Sequence, residues 1–390
     1  MKTKISYYLS HPIQYFSPLL KLMADEFDLH VYYFSDASIR GNMDVGFNQK
    51  VKWDIPLLEG YSYTFLKNIS KRESLSNRMW DVINPSVIRT LYKSKSKIVI
   101  INGWSYFSNL LIILFAKLFG KKVWLRAENP WNQEVQKSKK SLFLKKIVLK
   151  YFLFPFINKF LYIGKENKIF FEIYGAPSAK LIFTPYSVDN ELFTKISNQN
   201  SEKKSSLSKE LNLPNDKIII LFTGKFIEKK RPLDLIRAFY LLASPNAILV
   251  MVGEGKLRSE IENFVADNKV ENVILTGFVN QSAITNYYSV ADIFVMCSGM
   301  GETWGLSVNE AMCFSLPVIV SSTCGCSADL VREEENGFTF PEGDIEKLAG
   351  AISKLLSDEV ARKKMGSASL EIVKNFSNKH IVENMKMAIG

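Results

Sequence analysis

The sequence predicts an α/β protein with two parallel, doubly wound sheets, one in each half of the chain. Short apolar runs rich in β-branched and aromatic residues alternate with helix-like segments in both halves. The chain has 390 residues, which is too long for one ordinary core and suits two such domains. Because 47% of the residues are hydrophobic and 23% are charged, a disordered or collagen-like chain is excluded.

The first half alternates predicted strands with predicted helices. The helices run from after Pro12 to about Asp25 and over residues 105–119. The predicted strands are residues 4–10, 29–34, 97–102, 122–127 and 160–164. This series predicts a first domain over residues 1–195.

A second alternating series follows residues 194–209, which are rich in Ser, Asn and Lys and which we interpret as the join between domains. Pro232 begins a predicted helix over residues 232–243, and the chain is predicted to be helical from about Asp344 to its end. The predicted strands are residues 217–224, 247–253, 272–277, 292–298 and 317–322. We predict a second domain over residues 196–372, with a terminal helix in 373–390 that packs back on the first domain.

Several classes of site are excluded by what the sequence lacks. Neither a GxGxxG pattern nor a P-loop follows the first strands of the two halves, so the usual dinucleotide and triphosphate signatures are missing. The four cysteines, all in the last quarter, lack the paired spacing of a zinc site and suit a reducing compartment. The start has no signal-peptide pattern, and the apolar runs 110–116 and 151–157 fall far short of the ~20 residues that cross a bilayer.

Charge is distributed unevenly along the chain, whose net charge is +11. Residues 1–200 hold 29 Lys/Arg against 15 Asp/Glu, whereas residues 201–390 hold 21 against 24. Residues 137–160 carry seven lysines among apolar residues and, as a helix, could lie on an anionic membrane. The alternative is a packing helix with solvated lysine ends. No nucleic-acid-binding motif is present, so we predict an anionic membrane surface, and no nucleic acid, as a partner.

Two glutamates carry the most informative pattern. Glu302 lies in the loop after the strand 292–298, and Glu310 follows about two helical turns later in a helix that begins near Trp304. A helix N-terminus favours a phosphate, and carboxylates accept hydrogen bonds from ribose or sugar hydroxyls. By spacing alone, two glutamates eight positions apart are also compatible with an ordinary helix surface.

In its setting, this E-x7-E motif resembles that of the retaining glycosyltransferases of family four, which have the GT-B fold. The resemblance extends to the segments 10–20, 163–193, 221–239, 251–261, 275–295, 317–331 and 336–352, which together cover most of the chain. It implies two Rossmann-like domains that face a deep inter-domain cleft. It also implies a nucleotide-sugar donor as substrate.

The resemblance also implies roles for individual residues. Lys225 and Lys230 would neutralise the donor diphosphate, Glu310 would bind the ribose hydroxyls, and Glu302 would contact the transferred sugar. For the two lysines the alternative is a solvated basic loop, and for the glycines it is a plain strand-to-helix turn. The further donor-side positions are Gly224, Gly253, Gly255, Phe278, Val279, Thr303, Trp304, Gly305 and Leu306.

On the acceptor side the sequence departs from the family. Where many members have a histidine, after the strand 97–102, this chain has Asn102. Arg126 and Glu128, at the end of the strand 122–127, are alternative polar groups for that side. His11, after the first strand, is a further candidate for a catalytic role, although a lone histidine is often structural.

The resulting expectation is a cytoplasmic enzyme, peripheral on the inner face of the cell membrane, that transfers a sugar to a lipid-linked oligosaccharide or surface polysaccharide. The resemblance implies retention of configuration. No DxD motif is present, so we expect neither a divalent metal nor a cofactor. The alternatives are a GT-B nucleotide-sugar epimerase and a basic, non-catalytic membrane- or nucleic-acid-binding protein.

Overall fold

The computed structural model describes residues 2–40, 43–44, 49–50, 53–71 and 78–389. The chain divides into two compact units. The first unit contains residues 1–42, 56–186 and 378–390, and the second contains residues 43–55 and 187–377. Each unit is built around one parallel sheet, as the alternation of strands and helices predicts.

Strands and helices are numbered here in chain order. The strands are β1 Lys4–Leu9, β2 Asp28–Tyr33, β3 Met43–Asp44, β4 Gln49–Lys50, β5 Ser62–Phe65, β6 Ile98–Asn102, β7 Lys122–Arg126, β8 Lys159–Tyr162, β9 Leu181–Phe183, β10 Ile218–Thr223, β11 Ala247–Val252, β12 Val273–Gly277, β13 Ile293–Met296, β14 Val318–Ser321 and β15 Gly337–Phe340. The α-helices are α1 Phe16–Glu26, α2 Ser86–Lys93, α3 Phe107–Leu118, α4 Trp131–Glu134, α5 Lys139–Ile147, α6 Lys165–Ile173, α7 Asn190–Asn200, α8 Lys204–Glu210, α9 Pro232–Leu242, α10 Arg258–Asp267, α11 Gln281–Val290, α12 Leu306–Cys313, α13 Ser327–Leu330, α14 Ile345–Ser357, α15 Glu359–Val373 and α16 Asn378–Ile389. All ten predicted strands are present.

The first unit has a seven-stranded sheet in the order β5-β2-β1-β6-β7-β8-β9. Its strands pair in parallel. The carboxyl ends of the strands therefore lie at one edge of the sheet, where the loops after β1, β6 and β7 meet. Helix α16 belongs to this unit and packs on α1 and β9.

The second unit has a six-stranded parallel sheet in the order β12-β11-β10-β13-β14-β15. Every residue of β11 and β13 is buried, because helices cover both faces of the sheet. Asp189, Asp344 and Asp358 each accept a hydrogen bond from a backbone N–H of the first turn and so begin α7, α14 and α15.

Two segments differ from their predicted structure. Residues 194–209, expected to be an irregular join, are largely helical in α7 and α8, and the unit boundary lies between residues 186 and 187. Apolar residues are few in this segment, but Leu207 is buried, as is Phe193 just before it in α7, so packing outweighs weak periodicity. Residues 137–160, treated as one helix, contain α5, a π-helical stretch over 148–153, a 3₁₀ turn over 154–156 and the start of β8.

Five strands were missed by the sequence analysis, namely β3, β4, β5, β9 and β15. Strand β5 is a mostly exposed edge strand, and β9 has only three residues, so neither gives a long apolar run. Within the described residues, no helix is both long and apolar enough to cross a bilayer.

Candidate functional site

The loops of the second unit that carry the predicted donor residues follow β10 and β13, which are neighbours in the sheet. The chain continues from β10 towards β11 and β12 on one side, and from β13 towards β14 and β15 on the other. In parallel α/β sheets, ligands bind outside the carboxyl ends of strands at such a reversal of strand order. The topology therefore places the lysine-rich loop and the Glu302 loop at the expected binding position.

Glu302 and Lys230 form a buried ion pair at this position. Lys230 Nζ lies 2.6 Å from Glu302 Oε2, and Lys229 Nζ lies 3.5 Å from the same oxygen. Burial by itself would raise the pKa of Glu302, but the two lysines outweigh burial and hold that pKa below its ordinary value. Burial would lower the pKa of Lys230, yet Glu302 raises it above its ordinary value. Both groups are therefore charged at neutral pH.

Close approach of two backbone segments explains the glycines of the donor loops. A Cβ added at Gly253 would lie 1.8 Å from the carbonyl oxygen of Gly224, and one at Gly255 would lie 2.5 Å from that of Phe226. The loop after β11 thus packs directly on the loop that begins with Gly224 and Lys225. A close approach of these glycines to a nucleotide stays a prediction.

Glu310 lies in α12 and is held by two side chains of α11. The Tyr288 hydroxyl donates to Glu310 Oε2 at 2.7 Å, and Gln281 Nε2 donates to Oε1 at 3.3 Å. Tyr288 also shares a 2.7 Å hydrogen bond with Thr223, the last residue of β10. Burial raises the pKa of Glu310, although the hydrogen bond from Tyr288 opposes it. The pKa values of the two glutamates of the motif are thus shifted in opposite directions, downwards for Glu302 and upwards for Glu310.

The segment 302–306 is fixed by a second loop, Cys324-Gly325-Cys326. Gly325 N–H donates to the Glu302 carbonyl and Cys326 N–H donates to the Trp304 carbonyl, each at 3.1 Å. The Cys324 thiol also donates to the Trp304 carbonyl. A Cβ at Gly325 would lie 1.9 Å from the Thr303 carbonyl oxygen, so only glycine fits there.

Three other predicted donor residues have distinct surroundings. The Trp304 indole is buried, and its Nε1 donates to Asn309 at 2.8 Å, so this side chain belongs to the core. Gly305 precedes α12 with φ +107°. Leu306 is the first residue of α12.

The partly buried Phe278 and Val279 follow β12. The Phe278 ring lies 6.2 Å from that of Trp53, and Asp54 accepts hydrogen bonds from the backbone and hydroxyl of Ser282 in the first turn of α11. Trp53 and Asp54 therefore lie beside the predicted base pocket, and the sequence does not indicate this.

In the first unit, three of the predicted acceptor-side residues lie at the carboxyl edge of the sheet. Asn102 and Arg126 end the neighbouring strands β6 and β7 and are register partners. Asn102 Oδ1 accepts a 2.9 Å hydrogen bond from the hydroxyl of Tyr7. Glu128, two residues after β7, hydrogen bonds with Tyr186.

His11 follows β1 at the same edge and is largely buried. Its Nδ1 lies 3.0 Å from the Ser10 hydroxyl. Burial lowers the pKa of His11 to about 4, so the imidazole is neutral at neutral pH. A neutral imidazole can donate one hydrogen bond and accept another, but it supplies no positive charge.

Comparison with known proteins identifies a family that part of the chain matches. The family model for glycosyl transferases group 1 matches residues 203–371, which include the loops after β10, β11, β12, β13 and β14. This segment matches the group 1 glycosyltransferases. The predicted relationship to this family is thereby confirmed, and residues 203–371 lie wholly within the second unit.

Relatives and a solved structure extend this similarity. An uncharacterised glycosyltransferase of Methanocaldococcus jannaschii is 31% identical over 159 residues, which are 40% of each chain. A Campylobacter jejuni N-acetyl-D-galactosaminyltransferase, whose name specifies a diNAcBac-PP-undecaprenol-linked acceptor, is 25% identical over 337 residues, 83% of this chain and 86% of that protein. Anabaena HepE in complex with UDP-glucose has a TM-score of 0.71 at 15% identity and covers 99% of both chains.

The similarity of fold confirms the predicted GT-B class of two parallel-sheet α/β domains. The aligned segments span between about a third and just over half the length of the first few curated relatives that the chain matches.

The sequence analysis did not identify the two side chains that hydrogen bond with Glu310. Gln281 and Tyr288 are seven positions apart on α11, two helical turns, and this spacing could have placed them on one face. No local signal shows that this face meets Glu310, which comes later in the chain. Among the described residues, no three His, Cys, Asp or Glu side chains group as a metal ion would need.

Proposed function

We propose that the protein is a retaining glycosyltransferase that moves a sugar from a nucleotide-sugar to a lipid-linked oligosaccharide or surface polysaccharide. The observation that carries this proposal is the Lys230–Glu302 pair at the strand reversal of the group 1 domain. A nucleotide-sugar diphosphate carries negative charge that grows on the leaving group, and fixed cations stabilise it without reorganisation.

The proposed donor contacts follow from the surroundings of each residue. Lys230 has three N–H donors and uses one on Glu302, so the others can reach a phosphate oxygen. Lys225 adds a second positive charge at the end of β10. With lysines in this role the reaction would need no divalent metal, and retention would follow from attack on the same face that the leaving group departs from.

Glu310 is proposed to bind the ribose hydroxyls of the donor. Its oxygens are already oriented by Tyr288 and Gln281, so the carboxylate keeps one geometry before the donor arrives. Glu302 is proposed to contact the transferred sugar. The backbone of residues 303–306 would contribute N–H groups to sugar and phosphate.

Membrane association is part of the proposal, at the inner face of the cell membrane. In the first unit, Phe143 and Phe152 are 68% and 70% exposed on the helical stretch 139–153. Lys145 turns inwards to Glu134 at 2.7 Å, which fixes the orientation of α5. No Asp or Glu occurs between residues 134 and 166. Exposed aromatic rings beside lysines are the chemistry that binds an anionic lipid surface.

The donor is tested by thermal shift of the purified chain with UDP-, GDP-, ADP-, dTDP- and CMP-sugars in EDTA. A donor at about 100 times its Kd adds about 2.7 kcal/mol to the free energy of unfolding. We expect a shift with one nucleotide class, and transfer to lipid-linked glycans from membranes with retained configuration. Conversion of the nucleotide-sugar alone, without an acceptor, would instead indicate an epimerase.

A further inference from the structure

One side-chain nitrogen of a buried arginine in the first unit has no hydrogen-bond partner among the described residues. Arg126 is 3% exposed, and its Nε makes no hydrogen bond to any residue that the structure describes. A buried charged group without partners is costly, because burial removes the water that would otherwise bind it. Arg126 ends β7, at the edge of the sheet where ligands of parallel α/β proteins bind.

The contacts of Arg126 are aromatic. Its guanidinium carbon lies 5.3 Å from the centre of the Phe16 ring and 5.1 Å from that of Tyr186. Ring faces attract the cation, but they accept no conventional N–H hydrogen bond. The planar guanidinium presents its N–H donors in a fixed fork that matches carboxylate and phosphate oxygens.

A second donor lies beside this arginine. Asn102 is the register partner of Arg126 on β6 and is only partly buried. Its Oδ1 accepts the Tyr7 hydroxyl, and this assigns the Nδ2 group to the other side of the amide as a donor. Two donor groups, one of them charged, therefore stand next to each other at the ends of adjacent strands.

One carboxylate lies close to Tyr186, the ring of which contacts Arg126. Burial raises the pKa of Tyr186 well above its ordinary value, Glu128 raises it further, and Arg126 opposes both. Glu128 hydrogen bonds with Tyr186. A carboxylate at this position can also accept a hydrogen bond from a sugar hydroxyl beside a bound anion.

We propose that Arg126 and Asn102 form a subsite for an anionic group of the acceptor, either a phosphate or the carboxylate of an acidic sugar. The inference rests on the proposed transferase function and narrows its acceptor to one that carries negative charge near the reacting hydroxyl. The oxygens of this anionic group would accept hydrogen bonds from the Nε–H of Arg126 and from the Nδ2–H of Asn102. Glu128 would accept a hydrogen bond from a neighbouring hydroxyl of the acceptor.

The test is calorimetric titration of the full chain in the Lys230→Ala background, which weakens anion binding at the donor loop. Inorganic pyrophosphate represents the phosphate and sodium glucuronate the carboxylate. We expect at least one of them to bind and its affinity to fall by about tenfold or more with Arg126→Gln. The matched control is Arg89→Gln, which removes the same charge from the exposed face of α2 in the same unit.

Binding of pyrophosphate alone would assign a phosphate, and binding of glucuronate alone a carboxylate. Equal affinities in the Arg126→Gln and Arg89→Gln proteins, or no binding of either anion, would overturn the proposal. If Arg126→Gln fails to fold, Asn102→Ala decides, and an unchanged affinity there also overturns it. The donor thermal shift of wild-type protein is independent of these variants, so failure of the subsite and failure of the transferase function are distinguishable.

Discussion

Lys230 Nζ lies 2.6 Å from a carboxylate oxygen of Glu302, across two loops that follow neighbouring strands of one sheet. Two lysines lie near Glu302, and Lys230 is the more buried, since 16% of its side chain is exposed against 38% for Lys229. The pair therefore combines a preorganised positive charge with a carboxylate that stays ionised. Each of the two groups thus stabilises the charged form of the other.

Replacing Lys230 by alanine should abolish transfer, with a loss of about a hundredfold or more, because the developing charge on the diphosphate loses its cation. The free energy of unfolding should fall by about 1–3 kcal/mol, since Glu302 remains buried without its main partner. Initial rates and urea unfolding measure the two effects. The control is Lys229→Ala, which should reduce the transfer rate and the free energy of unfolding by less. Equal losses in the two variants would contradict the role proposed for Lys230.

Tyr288→Phe should weaken nucleotide-sugar binding through Glu310. The Tyr288 hydrogen bond lowers the pKa of Glu310 against the effect of burial, so its removal should raise that pKa further. The ionised form then appears at higher pH, and the pH at which nucleotide affinity reaches half its maximum should move upwards. Titrations of nucleotide into wild-type protein, the Tyr288→Phe variant and a Tyr287→Phe control at a series of pH values test this. Identical pH curves for the three proteins would exclude a role for Tyr288 in setting the charge of Glu310.

Gly325→Ala should displace the segment that carries Glu302. The added Cβ would lie 1.9 Å from the Thr303 carbonyl oxygen, and this overlap should cost about 1–3 kcal/mol of folding stability together with activity. Gly350→Ala in α14 is the matched control. Apart from the nearby backbone of α14 itself, no described atom lies within 4 Å of the new Cβ, so the change should stabilise the fold by about 0.5–1 kcal/mol. Thermal unfolding of both variants gives the comparison, and a stable, active Gly325→Ala protein would refute the close packing.

His11 should make the stability of the protein depend on pH. Its folded-state pKa is lowered to about 4, below the ordinary value of 6.5, so the unfolded chain binds a proton that the folded chain excludes. Acidification from pH 7 to pH 5 therefore favours unfolding. Wild-type protein should lose about 1–2 kcal/mol more than His11→Asn over this range. Urea unfolding at both pH values tests this, and parallel losses in the two proteins would show that His11 is not desolvated.

The membrane proposal predicts that Phe143→Ser with Phe152→Ser reduces binding to vesicles rich in anionic lipid. Each change removes an exposed aromatic ring that would otherwise enter the headgroup layer. Vesicle flotation measures the bound fraction. Tyr92→Ser, on α2 and 75% exposed, is the control for loss of any exposed aromatic residue. Wild-type protein that fails to float with anionic vesicles, or a double variant that floats equally well, would remove this surface from the proposal.

The sheets could be predicted because their strands are buried on both faces. Runs such as 247–252 are continuous and apolar, and this pattern does not depend on what packs against them. Strands β5 and β9 could not be found in this way, since an exposed edge and a three-residue strand leave no such run. The helices over 194–209 could not be predicted from local pattern, because they are stabilised by the burial of Leu207, and of Phe193 just before the segment, against distant partners.

By itself, the sequence predicted the class of fold, the resemblance to a glycosyltransferase family, the loops that carry Glu302 and Lys230 and the helix that carries Glu310, because these depend on local patterns of residue type and spacing. The tertiary structure alone decided which groups meet. It paired Glu302 with Lys230, placed Tyr288 on Glu310, and buried Arg126 Nε where no described residue accepts its hydrogen bond. These contacts join residues 20 to 70 or more positions apart or depend on burial, and the charge state of a buried side chain is set by whatever the fold places beside it.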